Sequence, residues 1–229
     1  MSVKQPKGNA KHNRQNSARI LDEKEQQRLR IIEINKQASV PMLADLAEIG
    51  FQLEWISDLY SKKLNYKQAI PILLQWLPRM ENLDVKEDIV RALSVPWAKP
   101  IAARLLVVEF YKLRNESNTG IKWAIANALS VVADDSVFEE IVKLVQDTSH
   151  GASRTMLALS LGNMRNPQAQ DMLISLLVDD LVAGQAIVAL GKLKSKKALP
   201  VIERFLTHPK GWVRREAKTA MARITKTSS

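Results

Sequence analysis

The 229-residue chain contains no cysteine, only 8 glycines, and few aromatic residues, which make up 5% of it. Without cysteine, disulfides, thiolate metal sites and cysteine nucleophiles are excluded. No stretch approaches the roughly 20 uncharged apolar residues of a membrane span, so no membrane association is expected. The basic N-terminus has no apolar run behind it and therefore does not look like a secretory signal. These absences lead us to expect a cytoplasmic protein.

Charge is distributed unevenly along the chain, whose formal net charge is +10. Lys and Arg outnumber Asp and Glu by 9 to 4 in residues 1–40 and by 11 to 2 in residues 192–229. Residues 133–191 are acidic, with 8 Asp and Glu against 3 Lys and Arg. This polarity is compatible with an anionic partner such as nucleic acid, and equally with a charged surface that keeps the protein in solution.

The N-terminal 40 residues are interpreted as a basic, largely disordered tail. Residues 1–17 contain almost nothing to bury. Ser17 offers an N-cap for a possible helix over residues 18–37. Pro41 then begins a new helical segment, which Gly50 breaks into two short helices, so that residues 41–64 form an N-terminal cap. The tail could serve as a docking peptide, an electrostatic tether or a solubilising segment.

One helical pattern recurs five times in the rest of the chain. Its copies start at Val85, Ile121, Ser153, Val182 and Val213. The seventh residue after each start is small: Ala92, Ala128, Ser160, Ala189 and Ala220. The eighth is long and unbranched at Cβ: Leu93, Leu129, Leu161, Leu190 and Met221. Because these positions share one side of an α-helix with the start, each copy predicts a helix with one apolar stripe.

Each of these helices follows another apolar helix, so the unit is a helical hairpin. The predicted hairpins occupy residues 65–97, 98–133, 134–165, 166–194 and 195–225. Asp135 or Ser136 is expected to cap the first helix of the third hairpin. Glu109 breaks the apolar pattern in the first helix of the second hairpin. Since stacked hairpins share a continuous core, the predicted fold is all-α, a right-handed α-α superhelix (solenoid) of about five to six hairpins.

The spacing and the second-helix pattern resemble HEAT repeats, best in "HPKGWVRREAKTAMARI" and "GQAIVALGKLKSKKALPVIERFL". The resemblance covers residues 65–224 well and 41–64 less well. It implies that a basic residue just after each start bonds carbonyls or acids of the adjoining repeat. These ladder residues are Lys86, Lys122, Arg154 and Arg214. A basic ridge that grips an anionic ligand is the open alternative.

In such folds the second helices line the concave, binding face. The residue two positions after each repeat start points away from the core. These residues, together with Lys218 on the last helix, give the concave-face candidates Glu87, Trp123, Thr155, Arg215 and Lys218. Trp123 is anomalous, because a large aromatic residue is predicted to face outward. It could anchor a partner, or fold back over the 112–120 loop or the N-terminal cap.

The densest basic cluster is near the C-terminus and includes a tryptophan. Its members are Lys192, Lys194, Lys196, Lys197, Trp212 and Arg214, with Arg215 and Lys218 beside them. Nucleic-acid surfaces combine basic and aromatic residues in this way. The terminal repeat of a solenoid also needs a polar outer side, which explains the same composition without a ligand.

No catalytic, cofactor or metal motif is recognisable. The three histidines, His12, His150 and His208, are far apart in sequence and lack ligand spacing. The leading hypothesis is therefore a non-catalytic HEAT-repeat scaffold that binds a protein on its concave face, with no small-molecule substrate. The alternative is a nucleic-acid-binding protein similar to the HEAT-like DNA glycosylases, which place Trp and Asp on a basic groove. Here Glu87 stands one repeat from Trp123 in place of that Asp.

Overall fold

The computed structural model describes residues 8–99, 101–113 and 119–226, with side chains from Arg19 onward except that of Thr119. The protein is all-helical, with 78% helix and no strand in these ranges. The α-helices are α1 (Gly8–Glu48), α2 (Asp58–Ser61), α3 (Ile70–Trp76), α4 (Leu83–Leu93), α5 (Ile101–Lys112), α6 (Thr119–Val132), α7 (Phe138–Gln146), α8 (Ser153–Leu161), α9 (Gln168–Ser175), α10 (Ala183–Lys192), α11 (Leu199–Glu203) and α12 (Gly211–Thr225).

The N-terminal helix differs from the sequence prediction. Instead of a disordered segment, a helix over 18–37 and a new start at Pro41, α1 runs from Gly8 to Glu48 and contains Pro41; residues 1–7 lie outside the described residues. A proline inside a helix costs about 3 kcal/mol, because its ring clashes and its N–H is missing. Burial of Met42 and Leu46, both 0% exposed, against α3 and α4 offsets that cost.

Local signals explain where several helices start. The Asn82 side chain caps α4 by accepting hydrogen bonds from the backbone of Asp84 and Val85. Asp134 caps the turn that precedes α7, so the prediction of Asp135 or Ser136 as that cap is wrong. Asp135 instead accepts from two backbone N–H groups of the loop that follows α8, at 2.8 and 2.9 Å. The carboxylate therefore joins two hairpins rather than capping one helix.

The helices after α2 pack as pairs. In each pair the first helix (α3, α5, α7, α9 or α11) contacts the second helix that follows it (α4, α6, α8, α10 or α12). Each second helix also packs against the second helix of the next pair. The small residues of the repeat pattern lie in this packing and are at most 2% exposed: Ala92, Ala128, Ser160, Ala189 and Ala220.

Two glycines let second helices approach at backbone distance. A methyl group added at Gly162, the C-cap of α8, would lie 2.9 Å from the Cα of Ala189 on α10. One added at Gly191 of α10 would lie 2.8 Å from both the Cα and the Cβ of Ala220 on α12. Because real Cβ atoms do not approach that closely, the packing of these helices requires glycine at both positions.

Candidate interaction site on the second-helix face

The sequence-predicted binding residues lie on the exposed side of the second helices, which we call the second-helix face. Trp123 of α6 is 39% exposed, so its indole is not folded away beneath other residues. Thr155 of α8 is half-buried, and its hydroxyl donates to a backbone carbonyl of its own helix start at 2.8 Å. Arg215 and Lys218 are exposed on α12. The face thus carries an aromatic side chain near α4 and basic side chains at α12.

Glu87 on α4 is held in an ion pair rather than left free. Arg91, one turn further along α4, donates to one Glu87 oxygen from Nε at 3.0 Å and from Nη2 at 2.5 Å. The other Glu87 oxygen would lie 3.5 Å from a methyl group added at Gly120, so the start of α6 lies beside this pair. Since Trp123 follows Gly120 by three residues, the indole is on the side of α6 near α4.

A groove of about 250 Å³ opens between α4 and α6; its lining includes Ala124, which follows Trp123 in the chain, but not Trp123 itself. Its walls include Arg91 and Asn127, which lies one turn after Trp123 on α6. Tyr60 and Tyr66 line it from the preceding segment. The groove therefore combines aromatic surface with a guanidinium and an amide, a combination that recognises peptide side chains and backbone.

The groove residues were not predicted from the sequence, although a signal for two of them existed. Arg91 and Asn127 both stand six residues after their repeat start, so they share one repeat column. Tyr60 belongs to α2, outside the repeats, and its position depends on a tertiary hydrogen bond. Its hydroxyl donates to Asp88 at 2.7 Å. Burial and, next, the nearby Asp88 carboxylate raise the pKa of Tyr60, so the phenol keeps its proton and donates it to the hydrogen bond. Burial also raises the pKa of Asp88.

The first ladder residue, Lys86, bonds the neighbouring hairpin. Lys86 donates to Glu109 of α5 at 2.9 Å, and Glu109 also accepts from Lys112 at 2.7 Å. Glu109 is only 1% exposed. The acidic residue that breaks the apolar pattern of α5 is thus the partner of a ladder lysine in the preceding hairpin, and it joins the two hairpins.

The remaining ladder residues differ in their partners. Arg154 is 4% exposed; it donates to the Val145 carbonyl at 2.6 Å, and its Nη1 lies 2.7 Å from Asp179 in the next hairpin. Arg214 donates to two carbonyls of the loop before its own helix, at 2.6 and 2.9 Å. Lys122 is 9% exposed. These buried or bonded cations do not form an exposed ridge for an anion.

The residues of the predicted basic cluster have different partners. Lys192, at the end of α10, donates to Asn163 of the α8–α9 loop. Lys197 pairs with Asp171 of α9. Trp212 covers Gly184, and a methyl group added there would lie 1.9 Å from the indole. Gly184 and Lys192 are about 12 Å apart along α10, so Trp212 is remote from Lys192. Lys194 and Lys196 are exposed in the connection between α10 and α11.

A half-buried histidine, His150, lies near the ladder residues Lys122 and Arg154. The ring of His150 meets Phe110 edge to face, with centroids 4.9 Å apart. Its Nδ1 is buried without a hydrogen-bond partner. Burial lowers the pKa of His150 from its ordinary 6.5; Asp147 opposes this shift, whereas Lys122 and Arg154 add to it. The imidazole is therefore held neutral.

This environment predicts a pH-dependent stability. The unfolded chain takes up a proton on His150 near the ordinary pKa of 6.5, whereas the folded chain resists it to lower pH. The stabilisation is complete above that pH and is lost as pH falls through the folded pKa. We expect the free energy of unfolding, from urea titrations at pH 7 and 5, to fall less for His150→Gln than for the wild type. Coincident pH profiles would show that burial does not perturb His150.

Comparisons with known proteins identify no relative: no family model, curated protein or solved structure matches this chain. Among the described residues, no helix combines the length and apolarity needed to cross a membrane. No group of three or more His, Asp or Glu in those residues has the geometry to hold a metal ion. The candidate site is therefore argued from its own geometry.

Proposed function

We propose that the chain is a HEAT-like α-solenoid that acts as a non-catalytic interaction module and binds a protein on its second-helix face. The solenoid is supported by the five-fold repeat of helix pairs and by the stacking of each second helix on the next. The bonds from Lys86 to Glu109 and from Arg154 to Asp179 join successive pairs in the way the HEAT resemblance implies.

The same packing supports a concave second-helix face. Second helices meet at glycine-to-alanine backbone contacts, as at Gly191 and Ala220. Grooves of about 370, 470 and 260 Å³ separate the first helices α5 from α7, α7 from α9, and α9 from α11. On the second-helix side, a groove of about 250 Å³ lies between α4 and α6, whereas the second helices from α8 to α12 are in close contact. A stack that is narrower on one side curves toward that side, so the superhelix closes around the second helices.

The exposed indole of Trp123 carries the functional proposal. Trp and Arg are the residues most enriched at the energetic centres of protein interfaces. Trp123 is 39% exposed, and Asn127, one turn further along α6, lines the groove with Arg91 and Tyr60, so a partner that buries the indole also reaches the groove. The carboxylate of Glu87 is engaged by Arg91, which argues against a free catalytic base of the glycosylase type.

Nucleic-acid binding is the second candidate, favoured by the exposed Arg215 and Lys218 on α12. Arg215 has 72% of its side chain exposed, and its Nε lies 3.6 Å from the adjacent Glu216. Binding of this kind loses affinity steeply as salt rises, because each phosphate contact releases counterions. Arg215→Glu with Lys218→Glu should abolish it, whereas Trp123→Ala should not.

The test is quantitative capture of partners by the wild type, Trp123→Ala and Tyr111→Ala, followed by affinity measurement with the captured protein. Tyr111 is the control, because it is 46% exposed on the first-helix side. We expect Trp123→Ala to weaken binding by about 30-fold, equivalent to about 2 kcal/mol, and Tyr111→Ala to leave it unchanged. Retention of every partner by Trp123→Ala would refute the protein-binding proposal.

A further inference from the structure

The apolar side of α1 continues beyond the body of the protein. Its C-terminal part packs on α3 and α4, where Ala38, Ser39, Met42 and Leu46 face the core. The same side continues N-terminally at spacings of 4, 7 and 11 residues. Its residues there are 36–68% exposed: Ile20, Leu21, Ile31, Ile32 and Ile34. Five large apolar side chains in one stripe indicate a surface that a partner covers.

The body of the protein does not reach this stripe. The last polar contact of α1 with α4 is made at Asn35, which donates to Asp84 at 3.1 Å and accepts from Asn82 at 2.8 Å. From Arg19 to Ile34, the side-chain bonds of α1 join residues within the helix, as between Arg28 and Glu25 at 2.8 Å. Exposed pairs of this kind contribute less than about 1 kcal/mol and remain available to a partner.

Charges flank the stripe with a particular symmetry. Glu23 and Arg30, seven residues apart, lie on one flank; Glu25 and Arg28 lie at the opposite edge of the stripe itself, seven residues from Ile32 and Leu21 respectively. The acidic residues are N-terminal and the basic residues C-terminal. When two such helices run antiparallel, equivalent flanks meet, so Glu23 faces Arg30 of the second copy and Glu25 faces its Arg28. Parallel helices would instead set like charges at the same level, which is repulsive.

We propose that residues 20–34 of α1 pair antiparallel with the same residues of a second copy of this chain. The two-fold axis passes near Gln26 and Gln27, and Leu21 lies opposite Ile31 and Ile32 of the other copy. Polar residues within such a stripe fix its register. Gln27 does so at the axis, and the methylenes of Lys24 cover apolar neighbours while its ammonium stays in water. The pairing uses none of the second-helix face.

A charge exchange tests the pairing by sedimentation velocity on full-length chains. Glu23→Arg with Glu25→Arg, and separately Arg28→Glu with Arg30→Glu, set like charges against each other and should weaken self-association by about tenfold or more. An equimolar mixture of the two double variants makes every cross-copy pair complementary, so the dimer should return. A monomeric wild type, or dimers that persist in both variants, would overturn the proposal.

Orientation is tested with single cysteines, because the chain has none of its own. Gln27→Cys lies beside its copy at the two-fold axis and should form an intermolecular disulfide. Ile20→Cys is the matched control: in the antiparallel pair the two copies of residue 20 are about 20 Å apart, too far for a disulfide. Efficient cross-linking of Ile20→Cys to itself would mean a parallel pair and would overturn the assignment.

Discussion

Glu109→Ala is expected to lower the free energy of unfolding by about 3–5 kcal/mol, the cost of breaking a buried ion pair by removing one partner. Glu109 is 1% exposed, and the side chain of Lys86, 11% exposed, reaches it from the preceding hairpin. Without the carboxylate the Lys86 ammonium has lost its partner in a region with little water. Lys112 also loses a partner, but its side chain is 55% exposed and is solvated instead.

Urea titration of the wild type and variants measures this effect. The control removes both charges: Lys86→Met with Glu109→Leu leaves no buried ion and should recover most of the lost stability. Lys112→Ala should cost less than about 1 kcal/mol, because its side chain is exposed. If Glu109→Ala unfolds at the wild-type urea concentration, the ion pair does not join the hairpins.

The helical hairpins could be predicted because their signal is local and repeated. The small residue seven positions after each start is buried in every copy, from Ala92 to Ala220. Lys86 and Arg154 were placed by the same alignment, and each bonds an acid in the adjoining hairpin. Glu109 seemed only to interrupt the apolar pattern of its helix, because its partner Lys86 lies 23 residues earlier in the chain, and a pattern within one helix cannot predict that contact.

The features that the sequence did not predict depend on tertiary contacts. Pro41 argued for a helix boundary, yet α1 continues through it because Met42 and Leu46 are buried by α3 and α4. The basic cluster looked continuous because its residues are close in sequence. Two of its lysines instead bond side chains of the preceding hairpin region, Lys197 to Asp171 and Lys192 to Asn163. Composition alone does not show which side of a helix each charge occupies.

The close approach of the second helices predicts a second large effect. Gly162→Ala with Gly191→Ala should lower the free energy of unfolding by about 4 kcal/mol, since overpacking costs about 1–3 kcal/mol per site and sites in different helix contacts are nearly additive. The added methyl groups would meet the Cα atoms of Ala189 and Ala220, which are backbone and cannot rotate away. Relief requires α8, α10 and α12 to separate.

The matched control is Gly120→Ala, in which the added methyl group meets only a Glu87 oxygen at 3.5 Å, an ordinary contact. Because alanine favours helix over glycine by up to about 1 kcal/mol, this variant should be neutral or more stable. The same propensity acts at Gly191 inside α10, whereas Gly162 is the C-cap of α8, so a loss of stability at Gly191 measures the helix contact and not the helix itself. Equal urea midpoints for the double variant and the Gly120→Ala control would mean that the second helices do not stack at backbone distance, and would contradict the concave face inferred from that stacking.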